Sequence, residues 1–227
     1  MESILRSFGL PAEDFSAFLR TCGGVVAGSA ALAAYLDDAA LPWAPNDLDV
    51  WLRVPDLAVE QVAQTPLETR LHRRADALAT MAHMAFARMG FAEPTTSYER
   101  DGSTAEFEAF HRRRQAYLDL CHDNDFILDI LYFEKEVDQA MRKVQVIVMA
   151  DLPVDALLQR FDLSVCRVAW DGARFALASG TKHDIRCRRT LCHWPASASG
   201  SAPTPTQRQR ERVDKYKARG FAAYAPL

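Results

Sequence analysis

A chain of 227 residues is long enough to bury a sizeable core, as one large domain or a domain with an extension. Apolar residues make up 49% and charged residues 25%, ordinary globular values that exclude wholesale disorder. The longest apolar stretches fall far short of the roughly 18 residues of a membrane span. The formal net charge of −3 conceals an asymmetry: residues 182–219 carry 10 Lys and Arg against 3 Asp and Glu, a balance of +7, which leaves −10 for the rest. A basic C-terminal segment beside an acidic body suits a polyanionic partner such as a nucleotide or nucleic acid. It suits equally well an acidic face of the same protein. Five cysteines without framework spacing fit a reducing compartment, and "MESILRSFGLPAEDF" lacks the basic-then-apolar order of a secretory signal. The expectation is a cytoplasmic protein, with the nucleus as the alternative.

In chain order, "AEDFSAFLR" (12–20) reads as a short amphipathic helix. "GGVVAGS" supplies a strand that ends in a Gly-Ser turn, and "AALAAYLDD" a helix starting just after it. "NDLDVWLRV" alternates as a strand, with Asp47, Asp49 and Trp51 on one side and Leu48, Val50 and Leu52 on the other. A long helix over "LETRLHRRADALATMAHMAFARMGF" is stopped by Gly90, and a loop, "AEPTTSYERDGST", follows. "FEAFHRRRQAYLDLC" is compatible with strand or helix. "FILDILYFE" (126–134) and "KVQVIVM" (143–149) are β-like runs able to pair as a hairpin, although their link is longer than a tight turn. "PVDALLQR" is a short helix, "FDLSVCRVAW" a strand, "DG" a turn and "ARFALAS" its hairpin partner. The order predicts an α+β (or α/β) domain with a mixed sheet flanked by helices over residues 1–194. A Pro/Ser-rich linker spans 195–206, and a basic helical segment over 207–227 packs on the domain.

Two carboxylates at i and i+2 of a strand project from the same face, their Cβ atoms about 7 Å apart. Such neighbours raise each other's pKa unless a cation relieves the repulsion. Asp47 and Asp49 are therefore candidate ligands for Mg²⁺ or Mn²⁺, which bring phosphate oxygens as further ligands. Two such ions about 3.5–4 Å apart activate an attacking hydroxyl and stabilise a leaving pyrophosphate. Gly28 lets the backbone approach a phosphate, and the helix that starts near Ala30 offers unpaired N–H groups to an anion. An anion cradle beside a cation grip is a constellation for a nucleoside triphosphate.

The stretch "VVAGSAALAAYL…NDLDVWL" (25–52) resembles the signature of the nucleotidyltransferase fold shared with DNA polymerase β and the poly(A) polymerases. There, an apolar residue, Gly and Gly/Ser precede a helix, and an Asp-apolar-Asp/Glu-apolar strand follows. The gap of 17 residues between Ser29 and Asp47 exceeds the family's usual spacing, and an insertion around "DDAALPWAP" accounts for it. The resemblance implies transfer of an NMP from an NTP to an RNA, protein or small-molecule acceptor. Asp47 and Asp49 would hold Mg²⁺, and Gly28 and Ser29 would embrace the phosphates. It further implies a third carboxylate from a neighbouring strand, either Asp162 in "FDLSVC" or Asp129 in "FILDILYF". Asp162 is favoured, because the run of strand, helix and "FDLS" also resembles uncharacterised nucleotidyltransferase-like proteins of large DNA viruses and fungi. Those proteins end in a segment like "RVDKYKARGF".

Each feature has a plainer alternative. Asp162 could pair with Arg160 or Arg167. Lys215, Lys217 and Arg219 could contact triphosphate or nucleic acid, or form a solvated helix face, and Tyr216 and Phe221 read as anchors of that helix. His183, Cys187, Cys192 and His193 are zinc-competent, but adjacent Cys192 and His193 point apart on regular backbone and the spacing is not that of a zinc motif. Cys166, in an apolar run, reads as inert core. The alternative function is a catalytically inactive member of the fold that binds nucleic acid or protein.

Overall fold

The strand "DLDVWLR" organises the architecture. In the computed structural model, which describes residues 1–36, 43–54, 67–92, 126–150, 152–194 and 205–224, strict alternation sends its side chains to opposite faces of a sheet. Leu48, Val50 and Leu52 enter one buried cluster, and Trp51 enters another. This strand, β2 (Asp47–Arg53), lies between β1 (Val25–Ala27), antiparallel to it, and β4 (Ala140–Met149), parallel to it. With β3 (Ile127–Val137), β5 (Val168–Trp170) and β6 (Phe175–Leu177), they form a six-stranded mixed sheet of order β3-β4-β2-β1-β5-β6. The chain is thus an α+β protein with a mixed sheet flanked by helices. No helix among the described residues is long and apolar enough to cross a membrane.

Four helices cover one face: α1 (Glu2–Ser7), α2 (Ala12–Cys22), α3 (Ser29–Leu36) and α4 (Leu67–Arg88). In α2 the apolar residues Phe15, Phe18, Leu19 and Cys22 recur at helical spacing and are buried. Ala30 through Ala34 are all buried, so α3 is a core helix with no solvent stripe. Phe86 of α4 is the hub of this face: its ring lies 4.4 Å from Phe133, 5.4 Å from Phe91, 5.7 Å from Phe18 and 6.2 Å from Phe15. The Lys135 ammonium donates to the carbonyls of Met89 and Gly9, tying the end of α4 and the α1–α2 turn to β3. The other face is thinner, covered mainly by Leu157 and Leu158 of α5 (Val154–Gln159).

Two expectations change in the structure. The hairpin of β3 and β4 is longer than its apolar runs, because the polar residues of "EKEV" and "AMRK" continue the ladder into solvent. They meet at a two-residue turn, Asp138-Gln139, with φ of 51° and 63°. Positive φ at both positions gives the twist that matches right-handed strands. "FDLSVCRVAW" is a strand only over its last three residues. Ser164–Cys166 form a 3-10 turn, held where the Ser164 carbonyl accepts from Thr181 Oγ1 and the Ser164 hydroxyl accepts from Leu191 N. Sequence periodicity also does not reveal α1, or α6 (Thr181–Arg186) and the small parallel pair β7 (Arg189–Leu191) and β8 (Ala222–Tyr224). The ambiguous segment 107–121, the loop 93–104 and most of the 195–206 linker lie outside the described residues.

The basic segment folds as α7 (Gln207–Ala218), opened by a reciprocal capping box between Thr206 and Gln209. Tyr216 and Phe221 are buried in the main core, and the Arg219 guanidinium lies 4.0 Å from the Trp43 ring centroid. The C-terminal helix is therefore anchored in the core of the sheet domain. Because Phe86 is fully buried among four rings, Phe86→Ala is expected to cost about 3–5 kcal/mol in urea unfolding, with the slope unchanged.

Candidate functional site

The bend and the carboxylates meet through strand register. Ala27, the last residue of β1, pairs with Asp49, and the chain then turns at Gly28 with φ of 82° into α3, whose first residue is Ser29. A Cβ built on Gly28 would stand 3.5 Å from Asp49 Oδ2 and 3.6 Å from the Phe161 ring. The constraint at Gly28 is its left-handed backbone, which glycine adopts without penalty. Asp47 and Asp49 are half-buried on the thinner face. Beside them Trp51 packs edge-on against Phe161, with centroids 5.8 Å apart.

On the other side of β2, parallel β4 sets Gln145 opposite Asp49, one strand spacing of about 4.8 Å away. Gln145 Oε1 is buried without a hydrogen-bond partner. Asp162 comes from the loop between α5 and the 3-10 turn. Arg167 shapes that loop, donating from Nε and Nη2 to the Phe161 carbonyl and from Nη1 to Gln159 Oε1. His193 N donates to the Asp162 carbonyl at 2.7 Å. The Asp162 side chain is 1% exposed: Oδ1 accepts from Arg212 Nη2 at 3.1 Å, and Oδ2 is buried without a partner. Asp162 is thus held by α7, and neither Arg160 nor Arg167 is its ion-pair partner.

Gly28, Ser29, Asp47, Asp49, Gln145 and Asp162 border one cavity of about 80 Å³, with Trp51 and Phe161 as apolar walls and Arg208, Arg212, Lys215 and Tyr216 of α7 facing in. That volume admits a hydrated ion and part of an anionic ligand. It is well below the roughly 300–1,000 Å³ of a pocket that encloses a whole small molecule. The charges are tightly coupled. Burial disfavours the charge on Arg212, but Asp162, together with Cys166 and Tyr216, outweighs it and raises the pKa above the ordinary arginine value. Burial and then Arg219 depress the Lys215 ammonium, while Asp47 pulls it the other way. Beneath them the Cys166 thiol donates to the Tyr216 hydroxyl at 3.0 Å, and burial pushes both groups up in pKa, so Cys166 is a protonated core thiol.

Of the residues singled out in the sequence, Gly28, Ser29, Asp47, Asp49, Asp162 and Lys215 come together. Asp129 does not: it pairs with Val148, which pairs with Leu52, so it shares the register of the opposite face, and its Oδ1 accepts from Ile130 N. Lys217 lies on the exposed side of α7 in an ion pair with Asp214. Gln145, Arg208 and Arg212 carry no sequence signature by themselves. The helical spacing of Arg208, Arg212 and Lys215 (i, i+4, i+7) marks a common face once the helix is assumed. In the zinc-competent segment, His183 and Cys187 sit one turn apart with Sγ 3.7 Å from Nε2, while Cys192 is buried in a bridge to Leu163. Among the described residues, no group of three or more His, Cys, Asp or Glu is arranged to hold a metal ion.

The oxygens at the cavity still suit a hard cation. Asp47 and Asp49 share a face, and the Gln145 amide oxygen beside Asp49 is an oxygen donor of the kind Mg²⁺ accepts. The fit is to an ion held by two carboxylates, completed by water and phosphate, and not to an all-protein cage. Comparisons with protein-family models, characterised proteins and solved structures found no match for this chain.

Removing one partner of a buried ion pair strands the other. Asp162→Ala is therefore expected to cost about 3 kcal/mol, the lower end of the range because Arg212 keeps 29% exposure. Adding Arg212→Met should recover most of that loss, and chemical denaturation of the four proteins of this double-mutant cycle measures both terms.

Proposed function

We propose that the protein is a metal-dependent nucleotidyltransferase of the DNA polymerase β-like fold, transferring an NMP from an NTP to an acceptor hydroxyl. The observation that carries this reading is the closeness of the Asp49 carboxylate to the Gly28 bend, where an added Cβ would lie 3.5 Å from Oδ2. It puts a two-carboxylate grip directly beside a bare strand-to-helix turn, and a basic helix stripe faces both.

In this reading Asp47 and Asp49 hold Mg²⁺ or Mn²⁺, which when bound polarises phosphate oxygens and offsets the charge of the transferring group. Gly28, lacking a Cβ, and the N–H groups at Ser29 admit the β/γ-phosphates. Arg208 and Lys215 meet their negative charge from the opposite wall. Trp51 and Phe161 exclude water from one side. The acceptor oxygen bonds to the α-phosphorus as the bond to the bridging oxygen breaks, its proton passes to solvent, and pyrophosphate leaves. The side chains contribute positioning and fixed charge. Incubation with radiolabelled NTPs and Mg²⁺, with and without cellular RNA, should transfer label. Asp47→Asn with Asp49→Asn should reduce transfer at least about 100-fold, the scale of losing a principal electrostatic stabiliser. Label transfer that persists undiminished in this variant, or in excess chelator, would sink the assignment.

A second reading, a catalytically silent member that binds nucleic acid, is favoured by two observations. The third acid, Asp162, is already neutralised by Arg212, and the strand position beside Asp49 carries an amide. It predicts RNA binding whose affinity falls steeply with salt, without NTP turnover.

A further inference from the structure

Granted the nucleotidyltransferase reading above, the ligand that fills the cavity has to answer two kinds of polar group. One kind gives hydrogen bonds. Arg208 and Lys215 border the cavity, and so does Arg212, whose Nε is buried without an acceptor. These suit phosphate oxygens, which accept hydrogen bonds and, once ionised, give none. The other kind accepts. Asp162, 1% exposed, offers Oδ1 to Arg212 Nη2 at 3.1 Å and keeps Oδ2 buried without a donor. Gln145, set opposite Asp49 by strand register, likewise keeps Oε1 buried without a donor. Both residues border the same cavity. Buried acceptors in native proteins are nearly always paired, and leaving them unpaired is costly. A phosphate chain alone leaves both unsatisfied, so the ligand must carry donors close to its phosphates. At about 80 Å³ the cavity is too small for a nucleobase beside a phosphate and admits the hydroxylated edge of a sugar. A ribose bears hydroxyls on adjacent carbons, two donors for two acceptors.

We propose that Gln145 and Asp162 read the 2′ and 3′ hydroxyls of the nucleotide, which makes the site selective for ribonucleoside over deoxyribonucleoside triphosphates. Neither residue is needed to hold the metal, which Asp47 and Asp49 hold in the reading above. Arg212 fixes the Asp162 carboxylate through Oδ1, so that Oδ2 keeps one direction. A deoxynucleotide strands one of the two acceptors, and a site built to bond a hydroxyl rejects the analogue that lacks it for that reason.

The test titrates the full chain, in Mg²⁺, with the α,β-methylene analogues of ATP, GTP, CTP and UTP by calorimetry. The tightest is then compared with its 2′-deoxy and 3′-deoxy forms. On the wild-type chain each deletion should weaken binding about tenfold or more, the effect of a buried acceptor left unpaired. In Gln145→Leu one of these penalties should fall to about twofold or less while the other stays, since the residue and the hydroxyl are coupled. In Asp162→Asn, which keeps an oxygen for Arg212 and turns an amide N–H toward the ligand, the other penalty should fall. Inorganic tripolyphosphate, which has no hydroxyl, should bind the wild-type chain and Gln145→Leu alike, an equality that general damage to the site would not preserve. Equal binding of the ribo and deoxy forms would overturn this inference and leave the nucleotidyltransferase reading intact. So would penalties that persist in both variants, or a tripolyphosphate affinity that falls in Gln145→Leu as far as that of the ribonucleotide. Failure of every analogue to bind would overturn the inference, and the nucleotidyltransferase reading with it only if label transfer from NTPs also fails.

Discussion

The structure turns on an electrostatic constraint: three carboxylates are brought to one end of a largely apolar sheet, and the chain must balance them itself. Asp47 and Asp49 arrive on alternate residues of β2, and Asp162 enters from a loop with almost no contact with solvent. The desolvation of such groups has to be offset by an opposite charge held in place. That charge comes from the far end of the chain, through Arg212 on Asp162 and Lys215 near Asp47. Part of the uneven distribution of charge along the sequence is thereby met within the molecule, where Arg212 and Lys215 of the basic segment face Asp162 and Asp47 of the acidic body. A polyanionic ligand would exploit the same basic stripe. The two uses are linked, because whatever binds Arg208, Arg212 or Lys215 changes the partners of the acids.

Much of the sheet was legible because its signals are local. Strict alternation in "DLDVWLR" separates Leu48, Val50 and Leu52 from Asp47, Asp49 and Trp51, and the two sets do occupy opposite faces. The turn at Gly28 and the helix beginning at Ser29 follow from small residues after an apolar strand. What was illegible depends on pairing at a distance. That Gln145 stands beside Asp49 is a matter of register between strands nearly a hundred residues apart, and nothing in "KVQVIVM" marks that glutamine. Asp162 carries the right chemistry in the wrong element. The Ser164 carbonyl accepts from the Thr181 hydroxyl of α6 and the Ser164 hydroxyl accepts from Leu191 N of β7, and these distant contacts accompany a 3-10 turn where the apolar pattern suggests a strand. Likewise β7 and β8 are three-residue strands, too short for any period to register, and exist because the two segments meet.

The basic helix illustrates how identity and position separate. Lys215 and Lys217 look equivalent in "VDKYKARGF", and the backbone geometry distinguishes them. Tyr216 between them is driven into the core beside Cys166 and Phe221, so its two neighbours are carried to different sides of the helix. Lys215 borders the cavity, and Lys217 pairs with Asp214 in solvent. A surface ion pair of that kind contributes little. The pair between Arg212 and Asp162 is of another order, because one partner is fully withdrawn from water and its second oxygen has no donor.

This arrangement couples stability to function in a definite sense. The face of α7 that carries Gln209 and Tyr216 fixes the helix through a capping box and a buried aromatic contact, and the adjoining stripe presents Arg208, Arg212 and Lys215 to the cavity. Because the first face is anchored, the second would meet a phosphate, in the proposed reading, on a helix that is already ordered, which would remove part of the entropic cost of binding. The same anchoring holds the Arg212 guanidinium on Asp162 when no ligand is there. Under the proposed function, metal binding would be weak by itself and strengthened when an anionic ligand recruits the basic stripe, which would make cation and nucleotide cooperative ligands of a single site.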